Sequence, residues 1–237
     1  VGTALALCAW LTIWVAAKFG LAAALAAGLA SGILIGLING LLVTRVRIPA
    51  FVATLGMYYV VRGVAFIASE GAPATYSGKE FTWLGNGSLG PLPVPFVIMI
   101  VCALAGAAIL RFTPFGRYVF AQGSNSMAAM VAGVPLPSVT MLVFVVIGFF
   151  NSISAILIGS RLYSATAGLE PGFELRVIAT VILGGTRLSG GRGSMLGTVA
   201  AALLFATLSN VLNLAHADAF VQRVVEGLVL LAALSIE

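Results

Sequence analysis

The sequence predicts an all-α integral membrane protein, a polytopic bundle of helices, and three observations lead there. Of 237 residues, 61% are hydrophobic and only 8% are charged, whereas a soluble domain carries roughly a quarter of its residues charged. The apolar residues gather into runs of the length that crosses a hydrocarbon core, about 20 residues at 1.5 Å rise each. The charges collect between those runs, with arginines on alternate connections. With a mean hydropathy of +1.14, even the surface must be apolar, so the surrounding solvent is lipid.

Taken in order, the apolar runs cover about 1–17, 20–43, 50–68, 93–111, 138–160, 194–214 and 220–236. An eighth stretch, about 173–186, is apolar but too short to cross fully. It lies between Pro171-Gly172 and Gly184-Gly185, which marks a half-helix or broken helix of the kind tolerated inside membrane protein. About 8 membrane segments are therefore expected, one of them short or broken, in a single transmembrane domain over 1–237. The chain begins at Val1 within an apolar run and has no basic leader segment, so it is expected to be shortened at its amino end.

Charge fixes the orientation. Arg45/Arg47, Arg111/Arg117 and Arg187/Arg192 occupy one set of connections, joined on that side only by Glu237 among the acidic residues. Glu70, Glu80, Glu170, Glu174 and Asp218 occupy the other set, mixed with Lys18, Lys79, Arg161 and Arg176. The arginine-bearing loops belong in the cytoplasm. The alternation then holds at every connection if the short segment counts as a crossing. The net charge of +5 is accounted for by this asymmetry, and no basic cluster interleaved with aromatics points to nucleic acid. One histidine, His216, cannot build a histidine-based metal site. Cys8 and Cys102 fall inside apolar runs as small core residues. No cofactor is expected.

Run 20–43 carries Gly28, Gly32, Gly36 and Gly40, one every four residues. Small residues at that spacing open a groove for a second helix backbone. Asn39, beside the last glycine, is a polar residue there that could face a pathway.

The connection from Arg111 to Pro135 is the most informative. Ser124 or Asn125 can cap a helix start and Gly133, followed by Pro135, can stop it. That leaves about two turns over 124–132, with Met127, Met130 and Val131 on one side and Ala128 and Ala129 near them. Two turns are unstable alone, and exposed Met and Val invite either a partner or lipid headgroups.

Here the sequence resembles the coupling-helix loop of ABC importer permeases. The resemblance rests on Gly116-Arg117, then Ala121, Gly123, Asn125, Ala128-Ala129 and Gly133-Val134. More narrowly it is similar to the monosaccharide branch, the ribose-, xylose- and autoinducer-2-type permeases. Pro49-Phe51 through Thr54-Leu55-Gly56, the outer stretch Gly168 to Ala179, and the glycine-rich Leu183 to Ser194 followed by Gly197-Thr198 agree with it in order. The resemblance implies about 10 membrane segments in a full chain in the bacterial cytoplasmic (inner) membrane. It also implies partners: cytoplasmic ATP-binding cassette subunits, a periplasmic or surface sugar-binding protein, and a second permease copy. Met127, Ala128, Ala129 and Met130 would contact the ATPase, with Gly123 and Gly133 permitting the sharp entry and exit of the chain. Arg117 would pair with lipid phosphate or with an acidic residue of the ATPase.

The loop at 184–194 has the spacing Gly185-x-x-x-x-Gly190, but Gly191-Arg192 stands where a nucleotide-binding loop needs Lys-Ser/Thr. ATP hydrolysis is therefore expected on a separate subunit, not here. For a substrate path the runs offer Arg62, Asn151, Ser152, Ser154, Ser209, Asn210 and Asn213, besides Asn39. Amides and hydroxyls suit a neutral polyol, and equally suit helix-to-helix hydrogen bonds. Arg62 lies inside its run, while Arg223 and Glu226 sit near an interface. Glu170 and Glu174 could meet the binding protein. A branched-chain amino-acid-type ABC permease shares the general architecture. A secondary transporter would want a carboxylate in mid-span, and no Asp or Glu lies in the middle of any run. A membrane enzyme would want a nucleophile, base or metal constellation, which one loop histidine and no buried carboxylate pair do not assemble. A passive channel would leave the Met/Ala helix without a role.

Overall fold

A computed structural model describes residues 2–169, 172–187, 189–216, 218, 221–222, 224–225 and 227–229. It is helical nearly throughout, with α1 (Gly2–Phe19), α2 (Leu21–Thr44), α3 (Ala50–Ser69), α4 (Lys79–Asn86) and α5 (Val94–Phe112) in its first half. These are followed by α6 (Pro114–Ser124), α7 (Ser126–Val131), α8 (Leu136–Leu162), α9 (Phe173–Leu183) and α10 (Met195–Leu214). Four two-residue strands interrupt them: β1 (Ala74–Thr75), β2 (Ser88–Leu89), β3 (Leu92–Pro93) and β4 (Ser164–Ala165).

Among the described residues six helices are long and apolar enough to cross a membrane: α1, α2, α3, α5, α8 and α10. The expected eight comprised these six, the short segment, which is observed as α9, and the run at 220–236. The eleven residues of α9 rise about 16 Å, roughly half a hydrocarbon core. The run at 220–236 falls largely outside the described residues. The composition-based helices otherwise agree with the observed ends to within a few residues.

The chain divides into two compact units. One takes residues up to Cys102 and again from Pro137 to the end of α8 and the loop after it; the other takes 103–136 and the chain from Gly172 onward. In the first unit α1 is the central helix, with Leu5, Cys8, Ala9 and Ile13 fully buried. The glycine row of α2 lies against α8, antiparallel to it. A Cβ at Gly28 would meet Ile156, one at Gly32 would meet Ser152 and the Gly148 carbonyl, one at Gly36 the backbone of Phe144 and Val145, and one at Gly40 Met141. The row is therefore a packing surface, as small residues four apart allow.

Three features of this unit have no precedent in the apolar pattern. Residues 79–86 form α4, whose Phe81 is fully buried. Ser160 Oγ donates to the Phe81 carbonyl, and Asn86 Nδ2 donates to the Ser160 and Arg161 carbonyls at 3.3 Å each. β1 pairs antiparallel with β4 (Ala74↔Ala165, Thr75↔Ser164), and β2 with β3 around Gly90 at φ +64. The connection after α3 is thereby tied to the end of α8. Those are two of the loops that charge alternation assigns to the outer side.

Candidate functional site

In the second unit the connection between α5 and α8 folds into two helices meeting at one residue. Thr113 caps α6, its hydroxyl accepting from Gly116 N–H at 3.3 Å with Pro114 at the first helical position. Asn125 ends α6 and caps α7, its Oδ1 accepting from Ala128 N–H at 3.0 Å. The exit from α7 is a Schellman closure: Gly133 N–H donates to the Met130 carbonyl and Val134 N–H to the Ala129 carbonyl, each at 3.0 Å. Gly133 has φ +83, which a residue bearing a Cβ adopts only with strain.

Between these caps α7 presents Met127, Met130 and Val131, which are 64%, 53% and 82% exposed. Ala128 is exposed beside them. Ala129 is not: it is only 4% exposed, so its side chain is turned inward and not toward the outward contact expected of it. Gly123 is not simply a point of chain freedom either. A Cβ on it would lie 2.6 Å from Gly191 N, a Cβ on Gly190 would lie 2.7 Å from the Gly123 carbonyl oxygen, and one on Gly191 would strike Ser124. Gly190 and Gly191 also hold φ +88 and +76. The corner between α6 and α7 thus rests backbone to backbone on the glycine-rich connection between α9 and α10.

That connection is itself tight. α9 closes with Gly185 N–H to the Ile182 carbonyl at 2.8 Å and Thr186 N–H to the Val181 carbonyl at 3.2 Å, a second Schellman motif. Arg187 N–H donates to the Arg192 carbonyl at 3.2 Å, and Ser194 caps α10 by accepting from Gly197 N–H at 3.1 Å. Gly184 packs on the backbone of Gly197 and Thr198. Leu188 lies outside the described residues. The loops with Arg111/Arg117 and Arg187/Arg192 therefore meet at one end of this unit, as their shared cytoplasmic assignment requires.

The polar residues considered for a path are dispersed. In the first unit Asn39 donates from Nδ2 to the Ile35 carbonyl at 3.2 Å, and its Oδ1 is buried without a partner among the described residues. Asn151 likewise has a buried Oδ1 without one. The pairing of α2 with α8 sets these two amides roughly 12 Å apart along the helices, so they do not form one site. Ser152 is fully buried, donates to the Phe149 carbonyl at 2.7 Å and lies under Gly32; it belongs to the helix contact. Arg62 is exposed on α3, its Nη1 3.4 Å from Tyr58 Oη and its Cζ 5.9 Å from the Phe66 ring centre.

In the second unit Asn210 and Asn213 are exposed on α10, and Asn213 Oδ1 accepts from Gln222 Nε2 at 2.9 Å. Glu174 stands in the first turn of α9, where the helix dipole favours an acid. Its Oε2 is buried without a hydrogen-bond partner among the described residues, which turns half of its carboxylate away from an outer partner. Glu170, Arg223 and Glu226 lie outside the described residues. Among those described, no group of three His, Cys, Asp or Glu could hold a metal.

Comparison with known proteins accords with this architecture. The chain is 36% identical over 199 residues to the ribose import permease protein RbsC of Bacillus subtilis, covering 83% of this chain and 62% of that one. It is 40% identical over 187 residues to the probable ABC transporter permease protein YphD of Escherichia coli, covering 78% and 56%. To the L-arabinose transport system permease protein AraH of Escherichia coli it is 36% identical over 192 residues, covering 81% and 58%. The matched region thus spans about three fifths of the length of these relatives. No solved structure matches the chain. The family described as branched-chain amino acid transport system / permease component matches over residues 1–234, and the chain is a member of that permease family.

Proposed function

We propose that this chain is the membrane-spanning permease subunit of an ATP-driven importer in the bacterial cytoplasmic membrane, carrying a ribose-like monosaccharide or related polyol by alternating access. The observation that carries the reading is α7. A two-turn helix, clamped by Asn125 at one end and Gly133 at the other, presents Met127, Ala128, Met130 and Val131 outward on the arginine-bearing side. Such a helix gains nothing from its exposed side chains until something covers them. The occupant proposed is an ATP-binding cassette subunit. A sugar-binding protein on the outer side and a second permease copy complete the assembly, and residues 1–237 act as one permease domain within it. Asn39, Arg62, Asn151, Asn210 and Asn213 remain the proposed path residues. The sugar assignment draws on relatives named for ribose and arabinose. The family description names branched-chain amino acids instead, and this is the second reading.

The test is co-purification of the full-length permease with the ATPase of its own transport system, followed by ATP-driven uptake of ribose and of leucine into proteoliposomes. Wild type should co-elute with the ATPase and Ala128→Arg should not, while keeping its own elution position. Ala129→Arg is unsuitable because that side chain is buried. Retention of the ATPase by Ala128→Arg, or its absence from wild type, would defeat the docking assignment. Leucine uptake without ribose uptake would establish the second reading.

A further inference from the structure

Helix α3 has four faces, and one of them differs from the rest. Ala53, Val61, Ala65 and Ser69 form its buried row. Val52, Gly56, Val60 and Val64 are exposed and apolar, and Leu55, Tyr59, Gly63 and Ile67 are exposed too, with the Tyr59 hydroxyl the polar group among them. The remaining row, one residue per turn, reads Thr54, Tyr58, Arg62 and Phe66. Side chains four apart on a helix stack along one face, and here they do: Arg62 Nη1 reaches Tyr58 Oη at 3.4 Å and Arg62 Cζ lies 5.9 Å from the Phe66 ring.

Arg62 comes twelve residues after Ala50 and seven before Ser69, so it sits about 10 Å inside the outer end of a spanning helix. An arginine near a membrane end usually extends toward the headgroups. This one lies along its own helix, between Tyr58 and Phe66. Its Nη1 reaches back to Tyr58, a turn nearer Ala50, while its Cζ stays beside Phe66, a turn nearer Ser69. A guanidinium cannot shed its charge, and its exposure to acyl chains is costly. None of the seven acidic residues lies inside α1, α2, α3, α5, α8 or α10. An identical second copy therefore brings no carboxylate from those helices either. Charged side chains within spanning helices face a bundle interior or a water-filled cavity, and Arg62 is exposed, which favours the cavity.

We propose that the Thr54–Tyr58–Arg62–Phe66 row faces a water-filled passage through the membrane, where Tyr58 and Arg62 offer hydrogen bonds to a passing neutral polyhydroxyl solute. The second half of this statement rests on the sugar-permease reading; the first half does not. Arg62 supplies five N–H donors and Tyr58 a hydroxyl that both donates and accepts, and the Tyr58 and Phe66 rings give apolar faces beside them. Substrate sites commonly pair a few oriented polar groups with aromatic walls in this way.

The experiment uses the full-length permease with its ATPase in membrane vesicles, with Cys8→Ala and Cys102→Ala as background. Single cysteines replace Thr54, Tyr58, Arg62 and Phe66 in turn, and Val52, Val60 and Val64 as controls. Each is treated with a membrane-impermeant, charged methanethiosulfonate. The row should react at least ten-fold faster than the valine positions, giving a four-residue period. Thr54→Cys and Phe66→Cys keep Arg62 in place, so they report on the passage even if Arg62→Cys fails to assemble. Equal reactivity on both rows, or none on the polar row, would overturn the passage. D-Ribose should slow labelling at Tyr58→Cys and Arg62→Cys about three-fold, and L-leucine should not. Labelling unchanged by ribose would overturn the solute contact. If ATP-driven sugar uptake fails while the row still reacts, the sugar-permease reading falls and the passage stands; normal uptake with an unreactive row defeats this inference alone.

Discussion

Asn125 performs two jobs with one side chain position. It terminates α6 through its N–H to the Ala121 carbonyl and starts α7 by accepting from Ala128 N–H. An N-cap of this kind contributes about 1 kcal/mol, a large share for a helix of six residues. Asn125→Ala should therefore weaken ATPase association by roughly five-fold, since 1.4 kcal/mol corresponds to a factor of ten. Asn125→Asp, which keeps the acceptor, should restore it, as a titration of permease against ATPase would read. Equal weakening by both would show that something other than the cap matters. The neighbouring glycines set a harsher limit. Gly190→Ala must place a Cβ 2.7 Å from the Gly123 carbonyl oxygen while holding φ +88. Gly133→Ala faces only the positive φ, with nothing within 4 Å. The first should lower the melting temperature of the purified permease clearly more than the second. The same residues show what sequence can and cannot carry. Asn125 and Gly133 announce a helix start and stop in their side-chain chemistry, and the structure places both in those roles. The contact of Gly123 with Gly190 and Gly191 joins residues nearly seventy positions apart, and no local rule reaches that far. Ala129 was legible as part of a helix, but which alanine of the pair faces inward depends on what lies beneath it.

At the scale of elements, apolar length determined the spans. The spans are read from a single dominant quantity, the cost of placing polar groups in hydrocarbon, so their ends needed no tertiary information. The outer connection from 70 to 93 is ruled by weaker forces. There α4 and the β1–β4 pair are held by two-residue ladders and by Asn86 reaching Ser160 and Arg161. Such features arise only after α8 is in place, which is why composition left them as loop. α6 was the avoidable omission, since Thr113-Pro114 is a helix-start signature in plain view. The glycine row of α2 yields a sharper test than its spacing alone. Gly148 on α8 faces Gly32, and a Cβ there would strike the Gly32 carbonyl oxygen. Gly148→Val should force the two helices apart at a cost of about 1–3 kcal/mol, read as a lower melting temperature in detergent. Gly56→Val on α3, where no atom lies within 4 Å, should leave it nearly unchanged. Equal losses at both positions would mean that glycine matters here for its backbone and not for the α2–α8 contact.

For the whole molecule, orientation is the quantity on which the functional reading depends, because α7 can meet an ATPase only if it lies in the cytoplasm. Charge supplies the orientation, and the contacts within each unit bear on the alternation of sides. The arginine asymmetry puts 111–117 and 187–192 on one side by the positive-inside rule. Each unit by itself then brings together loops that the rule places on a common side: β1 with β4 in one, Gly123 with Gly190 and Gly191 in the other. A wrong count of crossings would have set one of these pairs on opposite faces of the membrane. The short α9 is the sensitive point, since only if it and its flanking segments carry the chain across does the loop at 184–194 return to the side of α7. Single cysteines settle the matter in whole cells. Ser88→Cys, in the β2–β3 hairpin, should react with an impermeant maleimide added outside. Ser126→Cys at the start of α7 and Gly193→Cys in the glycine-rich loop should react only after permeabilisation. If Ser126→Cys reacts from outside, the ATPase assignment fails together with the orientation. If Ser126→Cys is protected and Gly193→Cys is not, the crossing at α9 fails, and so does the contact between Gly123 and Gly191 that requires both loops on one side.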